Sequence, residues 1–426
     1  MHIQLPPSYT TQSGPSNSDG LLHKLLRLGR VEEQGIEPIP LGERTSTWYF
    51  NAFTVWCSMN ANILPITFGI LGPPLFGLNL RDSSFVTLFF TLLSTLAPAY
   101  FATLGPKMGI QGHYLLLTSF LGRYLVSVPV VLNLATLAGF CVIICVVGGQ
   151  CLSAVTNGAL SPDLGIVLIA LLSLFISFCG FRVLHFHKTN AFIPAVIAIV
   201  ITAGCGDSGL AEQAEVAPAT ASAILSFGMI VASYMIPWAC IAPDLTTYFD
   251  PRVRGASYRI FTYSFLGLML PTVPLMTLGS AIGGAITNVP EWQEGYDKTL
   301  VGGVLAAMLS SAGGFGKFVV VILAFTLLGN VSGTLYAIMS RNRNVPWLVL
   351  VPRYIFAIIV TAIMIPVAIK ADHDFFLNLE NFVALIGYWC GAAALGAGIL
   401  SFSPVISCMA QAWWTGPLAE TTSGVI

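Results

Sequence analysis

Long apolar runs separated by short polar segments make up most of the chain. Ten runs stand out, and most are long enough to cross the roughly 30 Å hydrocarbon core of a bilayer as a helix. Apolar and polar residues do not alternate at every second position, so a membrane β-barrel is not indicated. The pattern therefore predicts an all-α polytopic membrane protein. The predicted spans cover residues 47–74, 83–104, 126–150, 163–181, 189–205, 221–242, 259–284, 315–339, 347–369 and 376–400.

The composition agrees with lipid as the main solvent of this chain. Of its 426 residues, 55% are hydrophobic and only 9% are charged, whereas a soluble domain carries roughly 25% charged residues. The formal net charge is −1 and no large basic cluster occurs, so nucleic acid is not predicted as a partner. The nine cysteines contain no C-x-x-C pair, and neither a metal-ligand cluster nor a phosphate-binding loop is present. We predict no enzyme activity, no cofactor and no bound metal.

Positive charges are distributed unevenly between the two ends of the predicted spans. With the N-terminus in the cytosol, fourteen of the lysines and arginines fall inside and four fall outside, as the positive-inside rule expects. The charge bias therefore predicts a multi-pass membrane protein with a cytosolic N-terminus, and we expect this protein in the plasma membrane. The four outer residues are Arg81, Lys298, Lys317 and Lys370.

Ten spans divide into two groups of five that run through the bilayer in opposite directions. An odd number of spans in each half is the condition for an inverted repeat, so we predict a five-plus-five architecture. The predicted divisions are a flexible cytosolic tail at 1–45, a first repeat at 46–205, an extracellular loop at 206–220, a second repeat at 221–400 and an atypical C-terminal tail at 401–426.

The first span of each half contains a proline near its middle. Pro65 follows Asn60 and Asn62, and Pro237 precedes Trp238. Proline removes a helical donor and clashes with the preceding turn, and paired interrupted helices mark the binding site in inverted-repeat transporters. The indole of Trp238 offers a flat face to a planar ligand. The alternative is a pair of ordinary proline kinks, with asparagines that face neighbouring helices and a core tryptophan.

Seven segments of the chain together match one known family pattern. They are residues 56–73, 105–109, 147–150, 180–185, 238–248, 314–318 and 379–389. With these segments the chain resembles the fungal purine–cytosine permeases of the nucleobase–cation symporter family, over about residues 25–392. The resemblance implies a leucine-transporter-like fold with symport driven by a cation, a proton rather than sodium. It also implies a small planar solute such as cytosine, adenine, guanine or hypoxanthine; other branches of the family carry allantoin, uracil, thiamine or pyridoxine.

The resemblance also implies which side chains contact the solute, and here the chain departs from the family pattern. Phe140 stands where the family has a tryptophan, Ile144 replaces an asparagine one turn later, and Thr334 replaces a second asparagine. Each lost amide partner costs roughly 1–3 kcal/mol in a dry site, so we predict a more apolar pocket with altered specificity. The implied substrate contacts are Asn60, Thr67, Phe140, Ile144, Trp238, Asn330 and Thr334.

Two carboxylates in or next to the predicted spans are candidates for binding the coupling cation, because ionisable groups in a membrane are usually functional. Asp244 lies near the inner end of the sixth span and Glu380 in the outer part of the tenth. The alternatives are an ion pair of Asp244 with Arg252 or Arg254, and an interfacial role for Glu380.

Three interpretations of the function stay open from the sequence. The first is a nucleobase-type symporter, and the second is a vitamin or allantoin-type transporter of the same fold. The third is a truncated, non-transporting relic, because the family has twelve spans and the last two are not recognisable here. All three place the chain in a lipid bilayer, and the first two give it a small-molecule solute and a coupling cation as partners.

Overall fold

The computed structural model describes residues 40–109, 127–178, 192–341 and 353–401. Most of the predicted N-terminal tail, the motif at 180–185 and nearly all of the predicted C-terminal tail lie outside this part of the chain. The helices are α1 (Phe50–Asn60), α2 (Ile63–Ile70), α3 (Gly72–Phe76), α4 (Leu80–Ala102), α5 (Leu104–Met108), α6 (Ser127–Val155), α7 (Pro162–Phe178), α8 (Phe192–Cys205), α9 (Asp207–Ala211), α10 (Ala221–Met235), α11 (Ala242–Thr246), α12 (Ala256–Ala285), α13 (Pro290–Met308), α14 (Gly313–Thr326), α15 (Leu328–Arg341), α16 (Arg353–Asp372) and α17 (Phe375–Ser401). Short 3₁₀ segments occupy Ile236–Cys240, Ile286–Asn288 and Ser310–Ala312.

Each predicted span coincides with one or more of these helices. In the described residues, six helices are long and apolar enough to cross a membrane, and a bent pair formed by α1 with α2–α3 makes a seventh. Helices α7 and α8 are apolar but shorter, and α17 has 27 residues. The all-α membrane architecture is therefore confirmed, while the number of ten crossings stays a prediction.

The first predicted break lies just before Pro65 rather than at it. Helix α1 ends at Asn60 and α2 begins at Ile63, with a bend of 54° between the two pieces. The side chain of Asn62 caps α2 by accepting a 2.8 Å hydrogen bond from the backbone N–H of Leu64. Pro65 falls in the first turn of α2, where its missing N–H has no helical partner to lose. The asparagine cap therefore sets the position of the break.

The second break is a change of helix type. Helix α10 ends at Met235, and the chain continues as a 3₁₀ segment over Ile236–Cys240 in which Pro237 is the second residue. Pro237 has no backbone N–H to bond back into α10. Trp238 thus lies on a short irregular segment between α10 and α11.

Helix α12 lies directly against the first interrupted helix. A Cβ atom at Gly69 would collide with the backbone carbonyl of Met276, and one at Gly279 would collide with the carbonyl of Ile66. Small residues let membrane helices approach closely and add interhelical hydrogen bonds. Ser280 Oγ donates such a bond to the carbonyl of Gly69 at 3.1 Å. This packing places α2 directly against α12.

The segment before α1 is fastened to the turn after α11. Ser46 and Phe249 form a parallel backbone bridge, and Tyr49 Oη donates a 2.7 Å hydrogen bond to the carbonyl of Asp250. Arg44 is only 5% exposed, and its guanidinium donates to the carbonyl of Pro106 at 2.8 Å. These contacts connect the start of the first interrupted helix to α5 and to the turn that follows the second interrupted helix.

Candidate functional site

The two interrupted helices meet through a hydrogen bond between Asn60 and Tyr234. Tyr234 Oη donates to Asn60 Oδ1 at 3.0 Å, and Asn60 Nδ2 donates to the carbonyl of Trp56 at 3.1 Å. Both Asn60 and Tyr234 are 0% exposed. The ring of Tyr234 also lies 4.8 Å from that of Phe68, centroid to centroid. Asn60, a predicted substrate contact, therefore bonds to the protein through both its amide oxygen and its amide nitrogen in this conformation.

A third helix reaches the first break through Asn330. Asn330 Nδ2 donates a 2.9 Å hydrogen bond to the carbonyl of Met59, which also accepts a 2.9 Å bond from Asn62 Nδ2. The carbonyl of Cys57 accepts from the backbone N–H of Ala61 at 2.7 Å. A helix terminus leaves carbonyls without helical partners, and here nitrogen donors of the chain satisfy them. Asn330 thus connects α15 to the end of α1.

Trp238 lies beside the first interrupted helix and contacts Trp56. The two ring centroids are 5.8 Å apart and the planes are inclined by 79°. Trp56 is 0% exposed, whereas Trp238 is partly exposed. Neither indole Nε1 has a hydrogen-bond partner among the described residues, although both nitrogen atoms are buried. A buried indole N–H usually has an acceptor, so these two donors are available to one.

Helix α15 also contacts α6, one turn after Asn330. The hydroxyl of Thr334 shares a hydrogen bond with the thiol of Cys141. Phe140 is partly buried, and its ring lies 5.6 Å from that of Phe382 at an angle of 82°. Ile144 is only 2% exposed and belongs to the apolar core. The structure therefore places Thr334 against Cys141 and Phe140 against Phe382, and it places Ile144 in packing contacts.

Thr67 lies within α2 and bonds to its own helix. Its Oγ1 donates to the carbonyl of Ile63 at 3.0 Å, and the residue is 0% exposed. A threonine hydroxyl that bonds one turn back satisfies itself without a ligand. In this conformation Thr67 therefore offers no free donor to a solute.

The two predicted coupling carboxylates lie apart from the junction of Asn60 and Tyr234. Asp244 belongs to α11 and Glu380 to α17, and both are partly exposed. Arg252, one of the two partners predicted for Asp244, instead forms a bidentate pair with Asp250 at 2.8 and 2.9 Å. The hydrogen bonds from Arg252 lower the pKa of the Asp250 carboxyl.

Two residues that the sequence pattern did not single out connect the helices of this region. Tyr234 lies near the predicted break, and its aromatic character alone does not reveal its partner. Asp372, the last residue of α16, accepts a 2.8 Å hydrogen bond from Gln150 Nε2 of α6. Among the described residues, no group of three or more His, Cys, Asp or Glu side chains could hold a metal ion.

The family model for permeases of cytosine and purines, uracil, thiamine and allantoin matches residues 38–397 of the chain. The chain belongs to this family. Its members are membrane transporters, so the permease is not an enzyme. The purine-cytosine permease fcyB of Emericella nidulans is 28% identical, over 95% of this chain and 87% of its own length. The purine-cytosine permease FCY22 of Saccharomyces cerevisiae is 32% identical, over 88% and 72%. The vitamin B6 transporter TPN1 of the same yeast is 27% identical, over 84% and 63%.

Two solved transporters have folds similar to that of this chain. Mhp1, a nucleobase-cation-symport-1 family transporter in a closed conformation with bromovinylhydantoin bound, superposes with a TM-score of 0.61 and 15% identity. The match covers 89% of this permease and 81% of Mhp1. A manganese transporter of Eremococcus coleocola superposes with a TM-score of 0.54 and 14% identity, over 85% and 80%. The predicted leucine-transporter-like fold is thereby confirmed.

Proposed function

We propose that this permease is a secondary active transporter that carries a small planar solute across the plasma membrane. The observation that carries the proposal is the junction of the two interrupted helices, where Tyr234 bonds to Asn60 and Trp238 lies beside Trp56. Binding sites in inverted-repeat transporters form where such helices are interrupted. The family supports a purine- or cytosine-like solute, which would stack on the exposed part of Trp238.

The unpartnered indole donors support a solute with acceptor atoms. Trp56 Nε1 and Trp238 Nε1 are buried without an acceptor, and a buried donor left unpaired costs roughly 1–3 kcal/mol. A ring nitrogen or carbonyl oxygen of a bound heterocycle would remove that cost. Asn60 and Thr67 are 0% exposed, so these side chains contact the solute only after the helices move apart.

We further propose that the solute is less polar than cytosine or adenine. Ile144 is buried in the core and Thr334 shares its hydroxyl with Cys141, so this side of the site offers few donors and acceptors to a base edge. A vitamin-type solute is the second candidate, because the vitamin B6 transporter TPN1 is among the relatives. Pyridoxine is also flat and aromatic.

A proton is the coupling cation that we propose. In transporters with interrupted helices, unwound backbone carbonyls coordinate sodium. Here nitrogen donors occupy the carbonyls of Trp56, Cys57, Met59 and Asn60, which leaves little room for a metal ion at the first break. Asp244 and Glu380 are the carboxylates that we propose for proton binding.

Uptake of radiolabelled solutes in a permease-null yeast strain tests the proposal. The panel contains cytosine, adenine, hypoxanthine and pyridoxine, and the chain carries a fluorescent tag to report its amount and its location. We expect saturable uptake of at least one solute that a protonophore abolishes. High-affinity cytosine uptake would contradict the altered specificity. A surface-localised chain that accumulates no solute would support the relic interpretation.

An epitope tag at the N-terminus tests the proposed orientation. An N-terminal epitope should be accessible to antibody only after the cells are permeabilised, because most positive charges flank the predicted inner ends of the spans. Labelling of that epitope in intact cells would contradict a cytosolic N-terminus.

A further inference from the structure

Two cysteines from different helices are in direct contact beside the second break. The side chains of Cys240 and Cys390 share a hydrogen bond, and no disulfide joins them in this structure. Cys240 lies on the 3₁₀ segment next to Trp238, and Cys390 lies on α17. Cys240 is partly exposed, whereas Cys390 is 1% exposed. The side chain of one cysteine is therefore partly accessible, and the other is buried against it.

The backbones around this pair are held close together. A Cβ atom at Gly387 would collide with Ser233 Oγ, so α17 lies directly on α10. Because a disulfide needs its two Cα atoms within about 4.4–6.8 Å, close helix packing favours the bond. The two thiols also share a hydrogen bond, so the side chains face each other.

Helix α17 also contacts α6 on the opposite side of the candidate site. Trp389 Nε1 donates a 3.1 Å hydrogen bond to Thr136 Oγ1, and the ring of Phe382 leaves no space for a Cβ at Gly139. Helix α17 thus spans from α6 to the irregular segment that bears Trp238. A covalent bond between α17 and that segment would fix the two sides of the site relative to each other.

We infer that Cys240 and Cys390 form a reversible oxidation site for a hydroperoxide. The Cys240 sulfur attacks the peroxide, whose O–O bond breaks; sulfur is oxidised to a sulfenic acid and the peroxide is reduced to water. Cys390 sulfur then attacks the Cys240 sulfur, the S–O bond breaks, and a second water leaves as the disulfide forms. In sum, two thiols and one hydrogen peroxide give one disulfide and two waters. A small dithiol reverses the reaction by exchange.

The effect on transport rests on the proposed function. Opening of the site requires the interrupted helix to move relative to its neighbours, as in other transporters with this architecture. A disulfide between the 3₁₀ segment and α17 prevents that movement. Oxidation should therefore stop uptake, and reduction should restore it.

Peptide mapping of the full chain in lipid nanodiscs tests the inference directly. The protein is treated with hydrogen peroxide, remaining thiols are alkylated, and the digest is analysed with and without dithiothreitol. We expect a cross-linked pair of peptides that contain Cys240 and Cys390. Its mass should be two hydrogen atoms below the sum of the two separate peptides, and it should be absent after reduction. If both thiols are oxidised or alkylated separately and no cross-linked pair forms, the inference is wrong.

Uptake of solute gives the second readout, with the same purified chain reconstituted into closed lipid vesicles. Peroxide should abolish uptake by the native chain and by the Cys205→Ser control, which removes a partly exposed cysteine on α8. The variants Cys240→Ser and Cys390→Ser should keep their uptake after peroxide. Equal inhibition of these variants would overturn the proposed effect. If the cross-link forms in a chain that transports no solute, the inferred oxidation site is supported and the proposed transport function is wrong.

Discussion

The hydroxyl of Tyr234 donates a 3.0 Å hydrogen bond to Asn60, and the two residues are separated by 174 positions in the chain. The bond joins the end of α1 to the last turn of α10. Both side chains are 0% exposed, so water does not compete for the contact. The two interrupted helices are thus connected at the places where each is interrupted.

Tyr234→Phe tests whether this bond matters for transport. The substitution removes one hydrogen bond and keeps the ring, so we expect a loss of about 1 kcal/mol, or roughly fivefold in uptake efficiency. The measurement is initial uptake rate against solute concentration, normalised to the amount of chain at the membrane. Tyr258→Phe is the matched control, because Tyr258 is 75% exposed. Full activity of the Tyr234 variant would remove the proposed role of the junction.

Asn330 is expected to stabilise the first break rather than to bind the solute directly. Asn330→Ala removes the donor to the Met59 carbonyl, and interhelical hydrogen bonds in membranes contribute about 0.6–1.7 kcal/mol. The temperature at which the detergent-solubilised chain aggregates should therefore fall. Asn330→Leu should lower it as well, because the leucine side chain has no donor. Asn288→Ala, at an exposed position, should leave that temperature unchanged.

Trp238 is expected to contact the solute through its ring face and its N–H group. Trp238→Ala should lower uptake efficiency roughly tenfold or more, because stacking on an aromatic ring contributes about 0.5–1.5 kcal/mol beyond the apolar area that the ring buries. Trp238→Phe keeps a face but loses the donor, and should raise the KM with a smaller change in the maximal rate. Trp48→Ala is the control, since Trp48 is 59% exposed. Identical kinetics for Trp238→Phe and the native chain would argue against a role for the indole N–H.

Thr334 is expected to limit recognition of polar bases. Thr334→Asn would replace a hydroxyl that is bonded to Cys141 with an amide able to read a base edge. One added hydrogen bond of about 1.4 kcal/mol corresponds to roughly tenfold in affinity, so cytosine should compete more strongly for uptake. Thr326→Asn, on the neighbouring helix α14, is the control. Unchanged competition by cytosine would place the specificity elsewhere.

Proton coupling predicts that uptake depends on external pH and not on sodium. Acidic medium should raise the uptake rate, and replacement of sodium by choline should leave it unaltered. Asp244→Asn and Glu380→Gln should separate the candidates, because neutralisation of the coupling carboxylate should flatten the pH profile. Sodium-dependent uptake would contradict the argument from the occupied carbonyls at the first break.

The membrane character and the helical spans follow from the sequence alone because lipid imposes strong local rules. Each backbone polar group must bond within its own helix, so a long apolar run has few alternatives to a helix. The irregularities near Pro65 and Pro237 are equally local, since proline removes a donor wherever it lies. The exact position of the first break was less predictable, because the Asn62 cap competes with the proline.

Residue roles at the site required the tertiary structure. Asn60 and Asn330 have the amide groups of solute-binding residues, yet their partners here are Tyr234 and the carbonyl of Met59. The type of a side chain limits which hydrogen bonds it can form. Which partner lies near it depends on the packing of helices that are distant in sequence. The sequence by itself thus determined a permease with two interrupted helices. The tertiary structure decided that these helices are tied together through Tyr234, and that Cys240 meets Cys390 beside them.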